Sequence, residues 1–107
     1  MLTWQWTRFE GLSPDDVYDM LALRARIFVL EQNCAYLDPD GLDRQSWHLL
    51  GRAADGRLLA YVRACDPGVK FEPPSIGRVV VDASQRGTGL GHALMAEALR
   101  RCDATWP

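Results

Sequence analysis

The sequence predicts one α+β domain in which helices cover a mostly antiparallel sheet. Three observations support this fold class. Apolar residues alternate with polar ones in several short segments, they recur at helical spacing in two longer segments, and these segments follow the order strand, helix, strand, strand, strand, helix. A length of 107 residues is typical of a single domain, and we assign residues 1–107 to it.

The first two elements are a strand and a capped helix. Between Thr3 and Phe9, aromatic residues alternate with polar ones, which is typical of a strand. A helix then begins at Ser13-Pro14, because a hydroxyl can cap the first turn, proline suits the first helical position, and two acids follow near the positive end of the helix dipole. Apolar residues recur as far as Phe28, so we expect this helix to bury one face.

The middle of the chain is predicted to be a loop, a hairpin and a further strand. Residues 31–43 carry turn-forming Asp, Pro and Gly, which indicates a loop. The Asp55-Gly56 pair separates two apolar runs and predicts a tight hairpin. We place strands near 47–54, 57–65 and 76–82, with a proline-containing loop at 66–75.

Composition excludes several classes of protein. A formal charge of −2 and a pI near 5.6 argue against a general nucleic-acid-binding protein. We see neither a signal peptide nor an apolar run of the roughly 20 residues that a membrane span needs, and we expect a cytoplasmic protein that does not bind membranes. The three cysteines form no C-x-x-C pair, so we expect no disulfide framework and no metal site.

The glycines at positions 87, 89 and 91 predict an anion-binding turn. They follow the apolar strand segment Val79 to Val81 and lead into an apolar-striped helix. Glycine lets a ligand approach the main chain closely, and the helix dipole adds a partial positive charge at the same point. Phosphate-like anions suit such a place. The spacing fits neither the Walker loop nor the dinucleotide-binding motif, while a turn kept only for packing would need fewer glycines.

The sequence resembles a known family at this turn and elsewhere. Arg86-Gly87-Thr88-Gly89-Leu90-Gly91 matches the pattern [RQ]-x-x-G-x-[GA], with which GNAT-family N-acetyltransferases hold coenzyme A. Further segments resemble the ElaA-like branch of that family, and together they span nearly the whole chain. These segments are "WQW" near the start, "LRARIFVLEQNCAYLDPDGLD" at 23–43, "HLLG" at 48–51, "IGRVVV" at 76–81 and "CDATWP" at the end.

This resemblance implies the acyl-CoA N-acyltransferase fold and the transfer of an acetyl group from acetyl-CoA to an amine of a small molecule or a peptide. It also implies where acetyl-CoA would bind. The backbone of Val79, Val80 and Val81 would pair with the pantetheine arm like an added strand. The amides that would receive the pyrophosphate belong to Arg86, Gly87, Thr88, Gly89, Leu90, Gly91 and His92.

Two residues are candidates for proton transfer, since the attacking amine must lose a proton. Glu31 ends an apolar helix, where an acid is unfavourable against the helix dipole, and it could act as the base or as an amine anchor. The alternative is a hydrogen-bonded organiser of the following loop. His48 could relay a proton, because its ordinary pKa is near neutrality, and the alternative is a structural histidine with satisfied hydrogen bonds.

The loop after the first helix supplies candidates for acceptor binding. It contains four acids and no basic residue before Arg44, so it would attract a cationic amine. Asp38 and Asp40 are candidate contacts, with turn formation as the alternative, and Tyr36 could line the acceptor pocket or simply pack. For Arg24 and Arg26 we expect a solvated or loop-anchoring role.

The resemblance also implies a fifth strand, a further helix and a final strand pair after the last helix predicted here. The 107 residues stop before them, so we expect the C-terminal strands and the second wall of the cleft to be missing. None of the three tyrosines matches the one that protonates the leaving thiolate in that family. The alternative to an enzyme is therefore a non-catalytic acyl-CoA-binding or interaction module, and the formation of a homo-oligomer stays open.

Overall fold

The computed structural model describes residues 2–34 and 37–107. A π-helical segment, Ala25–Glu31, continues the first helix, and short 3-10 turns lie at 9–11, 43–45 and 83–85. The predicted order of elements and the α+β fold class are confirmed. The strands are β1 (Thr3–Arg8), β2 (Ser46–Arg52), β3 (Leu58–Cys65) and β4 (Ser75–Val81), and the helices are α1 (Pro14–Arg24) and α2 (Leu90–Thr105).

The four strands form one sheet in the order β1-β2-β3-β4, and every neighbouring pair is antiparallel. The predicted hairpin joins β2 to β3. Its turn is closed by hydrogen bonds from Ala53 N to Arg57 O and from Gly56 N to Ala53 O, each 2.9 Å long. Gly56 has a φ of +90°, which explains why glycine follows Asp55 there. Within the described residues, β1 and β4 are the edge strands.

One helix covers each face of the sheet, and each face has its own apolar core. All eight residues of β3 are buried, because this strand lies under helices on both faces. The core on the α1 side is formed by Met20, Leu23, Ile27, Leu50, Leu58, Tyr61 and Val80. The core on the α2 side is formed by Leu49, Ala60, Val62, Leu94 and Ala98.

The start of α1 has the predicted cap. Ser13 Oγ accepts a hydrogen bond from Asp16 N, the Asp16 carboxylate accepts one from Ser13 N, and both are 3.0 Å long. Such caps stabilise a helix by about 1 kcal/mol. Beyond Arg24 the helix widens, so that Gln32 N donates to Ile27 O, five residues back, at 2.8 Å. This wider winding carries the helical segment to the beginning of the predicted loop.

An aromatic cluster fixes the end of α2 to the sheet. Trp6 stacks on Trp47 with ring centroids 5.1 Å apart, and Trp106 meets Trp6 edge-on at 6.4 Å. Trp6 Nε1 also donates a 3.2 Å hydrogen bond to Thr105 Oγ1. Trp4 packs against the same core. All four tryptophans of the chain therefore lie on the α2 side of the sheet.

Residues 2–34 and 37–107 offer neither a membrane-spanning helix nor a metal-binding cluster. In that part of the chain, no helix is both long enough and apolar enough to cross a membrane. The same residues contain no cluster of three or more His, Cys, Asp or Glu side chains that could hold a metal ion. The cysteines are free thiols, and Cys65 is the buried one.

Candidate functional site

The glycine turn between β4 and α2 uses its three glycines in two different ways. Gly87 and Gly89 have φ values of +78° and +84°, so the backbone itself favours glycine at both positions. Gly91 is the second residue of α2 and is not among the residues with positive φ. A Cβ added at any of the three would meet no described atom within 4 Å. Neither backbone conformation nor packing therefore explains glycine at position 91.

The amide groups of the turn alternate between bonded and available donors. Arg86 N donates to Ala83 O, Thr88 N to Gln85 O, and Leu90 N to Thr88 Oγ1, each at 3.3 Å. No hydrogen bond inside the described part of the chain uses the remaining donors, which are the amides of Gly87, Gly89, Gly91 and His92. Seven amides, those of residues 86–92, are predicted to receive the pyrophosphate. Those of Arg86, Thr88 and Leu90 already donate within the turn, so four remain available.

The strand that enters this turn lies at the edge of the sheet. Val80 points into the α1-side core, while Val79 is exposed. A surface cavity of about 390 Å³ is lined in part by Thr88, Gly89 and Leu90 of the turn. A second cavity, of about 440 Å³, lies between α1 and the β2–β3 hairpin and reaches Asp82 at the end of β4. Cavities of this size are common for small ligands and cofactors.

Glu31 lies beside the turn, at the end of the π-helical segment. Its carboxylate forms an ion pair with the guanidinium of Arg86, 55 residues along the chain. Both side chains are exposed, and exposed ion pairs typically contribute only ~0–1 kcal/mol. A phosphate group could therefore compete with Glu31 for Arg86. The pair places Glu31 next to the predicted pyrophosphate site.

A network of three arginines and three aspartates fixes the loop that follows. Arg24 and Arg63 are almost completely buried, and both contact Asp43 Oδ1, with Nη1 distances of 2.8 Å and 3.1 Å. Arg63 also binds Asp40 through both Nη atoms, at 2.7 Å and 2.8 Å. The hydrogen bond from Arg63 holds the pKa of Asp40 well below its usual range. The expected loop-anchoring role of Arg24 is confirmed.

The network also determines the surroundings of the predicted acceptor contacts. Asp38 is only 6% exposed, and its carboxylate lies 2.9 Å from Arg24 Nε and 3.0 Å from Arg78 Nε. Asp40 binds Arg63 and Arg78, at 2.7 Å and 3.3 Å. The arginines therefore occupy the carboxylates that we expected to attract an amine, because each buried guanidinium needs a negative partner. Tyr36, the third predicted contact, lies outside the described residues.

His48 is fully buried and both of its ring nitrogens are hydrogen-bonded. Nε2 lies 2.8 Å from Asp43 O and Nδ1 lies 2.6 Å from the hydroxyl of Tyr61. A carbonyl oxygen can only accept, so Nε2 carries the proton and Nδ1 accepts from Tyr61. Burial, reinforced by the charges of Arg24 and Arg63, lowers the pKa of His48. This placement favours the structural alternative for His48 over a proton relay.

The lowered pKa of His48 predicts a loss of stability in mild acid. Its ordinary pKa is 6.5, so below about pH 6.5 the unfolded chain binds a proton at His48 that the folded chain excludes. We expect the free energy of unfolding to fall with pH from 6.5 towards 5, by at most ~1.4 kcal/mol per pH unit. Urea denaturation at pH 7.5, 6.5, 5.5 and 5.0 measures this slope.

The matched variant for this measurement is His48→Gln, which removes the titrating ring but keeps a donor and an acceptor. We expect its unfolding free energy to vary less with pH than that of the wild type. An equal slope in both proteins would show that another group is responsible.

Sequence reasoning missed two members of the arginine network. Arg63 lies in β3 and Arg78 lies in β4, two strands whose other residues are mostly apolar. An arginine inside an apolar strand needs a buried acid, and the loop at 37–45 contains three aspartates. Arginines within apolar strands, together with aspartates in a nearby loop, are the sequence signal that could have revealed the network.

Comparison with known proteins identifies a family and two similar sequences. The model of the acetyltransferase (GNAT) family matches residues 1–105. The UPF0039 protein sll0451 of Synechocystis sp. is 43% identical over 106 residues, which cover 99% of this chain and 69% of that protein. Protein ElaA of Escherichia coli is 40% identical over 109 residues, covering 100% of this chain and 71% of its own.

Two solved structures share the fold closely. The crystal structure of Escherichia coli ElaA matches with a TM-score of 0.93 over 100% of this chain and 73% of that one, at 40% identity. An acyl-CoA N-acyltransferase from Pseudomonas aeruginosa matches with a TM-score of 0.91 over 99% of this chain and 73% of that one, at 42% identity.

Proposed function

The chain belongs to the acetyltransferase (GNAT) family, and on that premise we propose that it transfers an acetyl group from acetyl-CoA to a primary amine. The family and the acyl-CoA N-acyltransferase relative support acyl transfer in general. We propose in addition that the acyl group is acetyl and that the acceptor is an amine of a small molecule or a peptide.

The observation that carries this proposal is the group of available amides at the start of α2. Gly87, Gly89, Gly91 and His92 present N–H donors within a few residues, and the dipole of a 16-residue helix adds about half a positive charge at its N-terminus. Phosphate oxygens are acceptors that such a turn binds well. Glycine at position 91, which the fold does not require, leaves room for a ligand to approach the backbone.

The neighbouring strand supplies the second part of the proposed binding site. β4 is an edge strand among the described residues, so its outer N–H and C=O groups face no other strand. The amides of a pantetheine arm could pair with Val79, Val80 and Val81 as a peptide pairs with a sheet edge. Holding the thioester there would favour transfer chiefly by proximity, since effective molarities reach ~10⁵–10⁸ M.

Binding and turnover are measured separately. Isothermal titration with CoA and with acetyl-CoA tests the site, and release of free thiol from acetyl-CoA in the presence of a panel of amines tests the reaction. We expect saturable binding with one site per chain and thiol release that depends on the amine. A chain that binds neither compound would overturn the proposal.

A non-catalytic acyl-CoA-binding module is the second candidate function. It is favoured by the pairing of Asp38 and Asp40 with arginines and by the burial of His48, which leave these expected acceptor-binding and proton-transfer residues engaged within the fold. Binding of acetyl-CoA without amine-dependent thiol release would support this candidate.

Glu31 is proposed as the base or the amine anchor. In a Glu31→Gln variant we expect kcat to fall, by up to the ~10²–10⁴-fold that a positioned base contributes. We expect the Kd for CoA to change less than about 3-fold, because exposed ion pairs such as Glu31–Arg86 are weak. Steady-state kinetics and titration with CoA give both values.

Two matched variants make this prediction specific. Glu72→Gln removes the same charge from an exposed loop position and should change neither value. Arg86→Gln removes the partner of Glu31 but keeps a residue that the [RQ]-x-x-G-x-[GA] pattern allows. If Glu31→Gln and Arg86→Gln weaken CoA binding equally and leave kcat unchanged, Glu31 only organises the turn.

A further inference from the structure

β4 contains a bulge where the residues proposed to hold the pantetheine arm begin. Tyr61 of β3 is paired with Val80, and Arg63 is paired with Gly77. One residue of β3, Val62, therefore lies opposite two residues of β4, Arg78 and Val79. Bulges of this kind bend a strand and redirect the groups that follow.

The bulge holds a strained backbone conformation. Arg78 has a φ of +52°, in the left-handed region that residues other than glycine rarely adopt. Such conformations persist only where surrounding contacts hold them. The contacts at Arg78 are made by its own side chain, which is mostly buried.

Asp38 contacts that side chain through both its carboxylate and its main-chain carbonyl. Arg78 Nε donates to Asp38 Oδ1 and Arg78 Nη2 donates to Asp38 O, both at 3.0 Å. The second carboxylate oxygen of Asp38 lies 2.9 Å from Nε of the fully buried Arg24. Asp38 thus connects the end of α1 to the bulge of β4. A weaker contact, from Arg78 Nη2 to Asp40 Oδ2 at 3.3 Å, supports the same arrangement.

We infer that Asp38 is a positioning residue for the proposed acetyl transfer. By holding Arg78 in its left-handed conformation, Asp38 fixes the bulge and so orients the main-chain groups of Val79, Val80 and Val81. The inference rests on the proposed function, because those groups are proposed to hold the arm that carries the thioester. Displacing a reacting group by about 1 Å can cost on the order of 10²-fold in rate. Asp38 touches neither the amine nor CoA in this assignment.

The test uses Asp38→Asn, which keeps the size and one acceptor of the side chain, and Arg78→Lys, which keeps the charge but loses the paired contacts. We expect kcat to fall at least 10-fold in both variants, while the Kd for CoA, set mainly by the glycine turn, stays within about 3-fold. Asp66→Asn is the matched control, since Asp66 pairs with Arg8 and lies in another part of the fold. Its kcat should equal that of the wild type.

A second measurement does not need activity. Backbone NMR shifts of Arg78 report its left-handed conformation, and hydrogen exchange at Val79–Val81 reports the order of the bulge. We expect both to change in Asp38→Asn and to stay constant in Asp66→Asn. Wild-type shifts and exchange in Asp38→Asn would overturn the inference, whether or not the wild type transfers acetyl groups. A fall in kcat of Asp38→Asn that is matched by an equal loss of CoA affinity would also overturn the inference. Failure of the wild type to bind CoA would refute the proposed function instead.

Discussion

Replacing Asp43 with alanine is expected to lower the free energy of unfolding by about 3–5 kcal/mol. Asp43 Oδ1 is contacted by two buried guanidiniums, those of Arg24 and Arg63. Without this carboxylate, Arg24 keeps Asp38 and Arg63 keeps Asp40, so three positive charges, including Arg78, share two acids inside the protein. A loss of this size is a large part of the ~5–15 kcal/mol that stabilises a typical domain.

Urea denaturation followed by far-UV circular dichroism measures the loss. Asp43→Asn keeps an oxygen that can accept from one arginine, and it should unfold at a midpoint between the wild type and Asp43→Ala. Glu72→Ala is the control, because Glu72 is exposed and lies outside the helices and strands. Its midpoint should not move measurably. If Asp43→Ala unfolded at the same midpoint as Glu72→Ala, the buried network would contribute nothing to stability.

Gly89→Val is expected to abolish CoA binding, with a rise in Kd of at least about 100-fold. Gly89 caps α2 with a φ of +84°, which a β-branched residue adopts only with strain. The added side chain would also stand beside the available amides. Titration with CoA measures the effect. A Gly89→Val variant that binds CoA as tightly as the wild type would refute the assignment of the site.

Three further variants distinguish backbone strain at Gly89 from obstruction of the CoA site by an added side chain. Gly91→Leu starts a longer side chain in open space inside a helix, where leucine is favoured over glycine by roughly 0.5–1 kcal/mol. We expect a chain at least as stable as the wild type that binds CoA about 10-fold more weakly, whereas Gly91→Ala, which the [RQ]-x-x-G-x-[GA] pattern allows, should keep its Kd within about 3-fold. Gly68→Val repeats the strain, at a φ of +86°, in a loop remote in sequence from the turn, and should leave binding unchanged. Unchanged binding in Gly91→Leu would mean that CoA does not approach that residue.

The parts of the fold that sequence analysis predicted correctly depend on short stretches of chain. The cap at Ser13-Pro14, the hairpin at Asp55-Gly56 and the glycine turn each draw their determinants from fewer than about ten neighbouring residues. Local periodicity and turn chemistry are sufficient in such places.

The parts that were missed depend on residues far apart in the sequence. Asp38 and Arg78 are 40 positions apart, and Glu31 and Arg86 are 55 apart. Pairs of this kind form only when the sheet brings them together, and no period in the sequence records them. Local patterns indicate only turns or amine contacts for the acids of the loop. Asp40 does form a turn, since it accepts a 3.1 Å hydrogen bond from Leu42 N, but the pairing of Asp38, Asp40 and Asp43 with buried arginines leaves no local signal.

Because of where the tryptophans lie, fluorescence reports on only one of the two faces of the sheet. Each of the four indoles lies on the α2 side, where Trp6 contacts both Trp47 and Trp106. Intrinsic tryptophan fluorescence will therefore change when α2 detaches from the sheet. It will hardly change when the packing under α1 is disturbed. A partly unfolded form that had lost only its α1 layer would pass unnoticed in a fluorimeter while its helical ellipticity had already decreased.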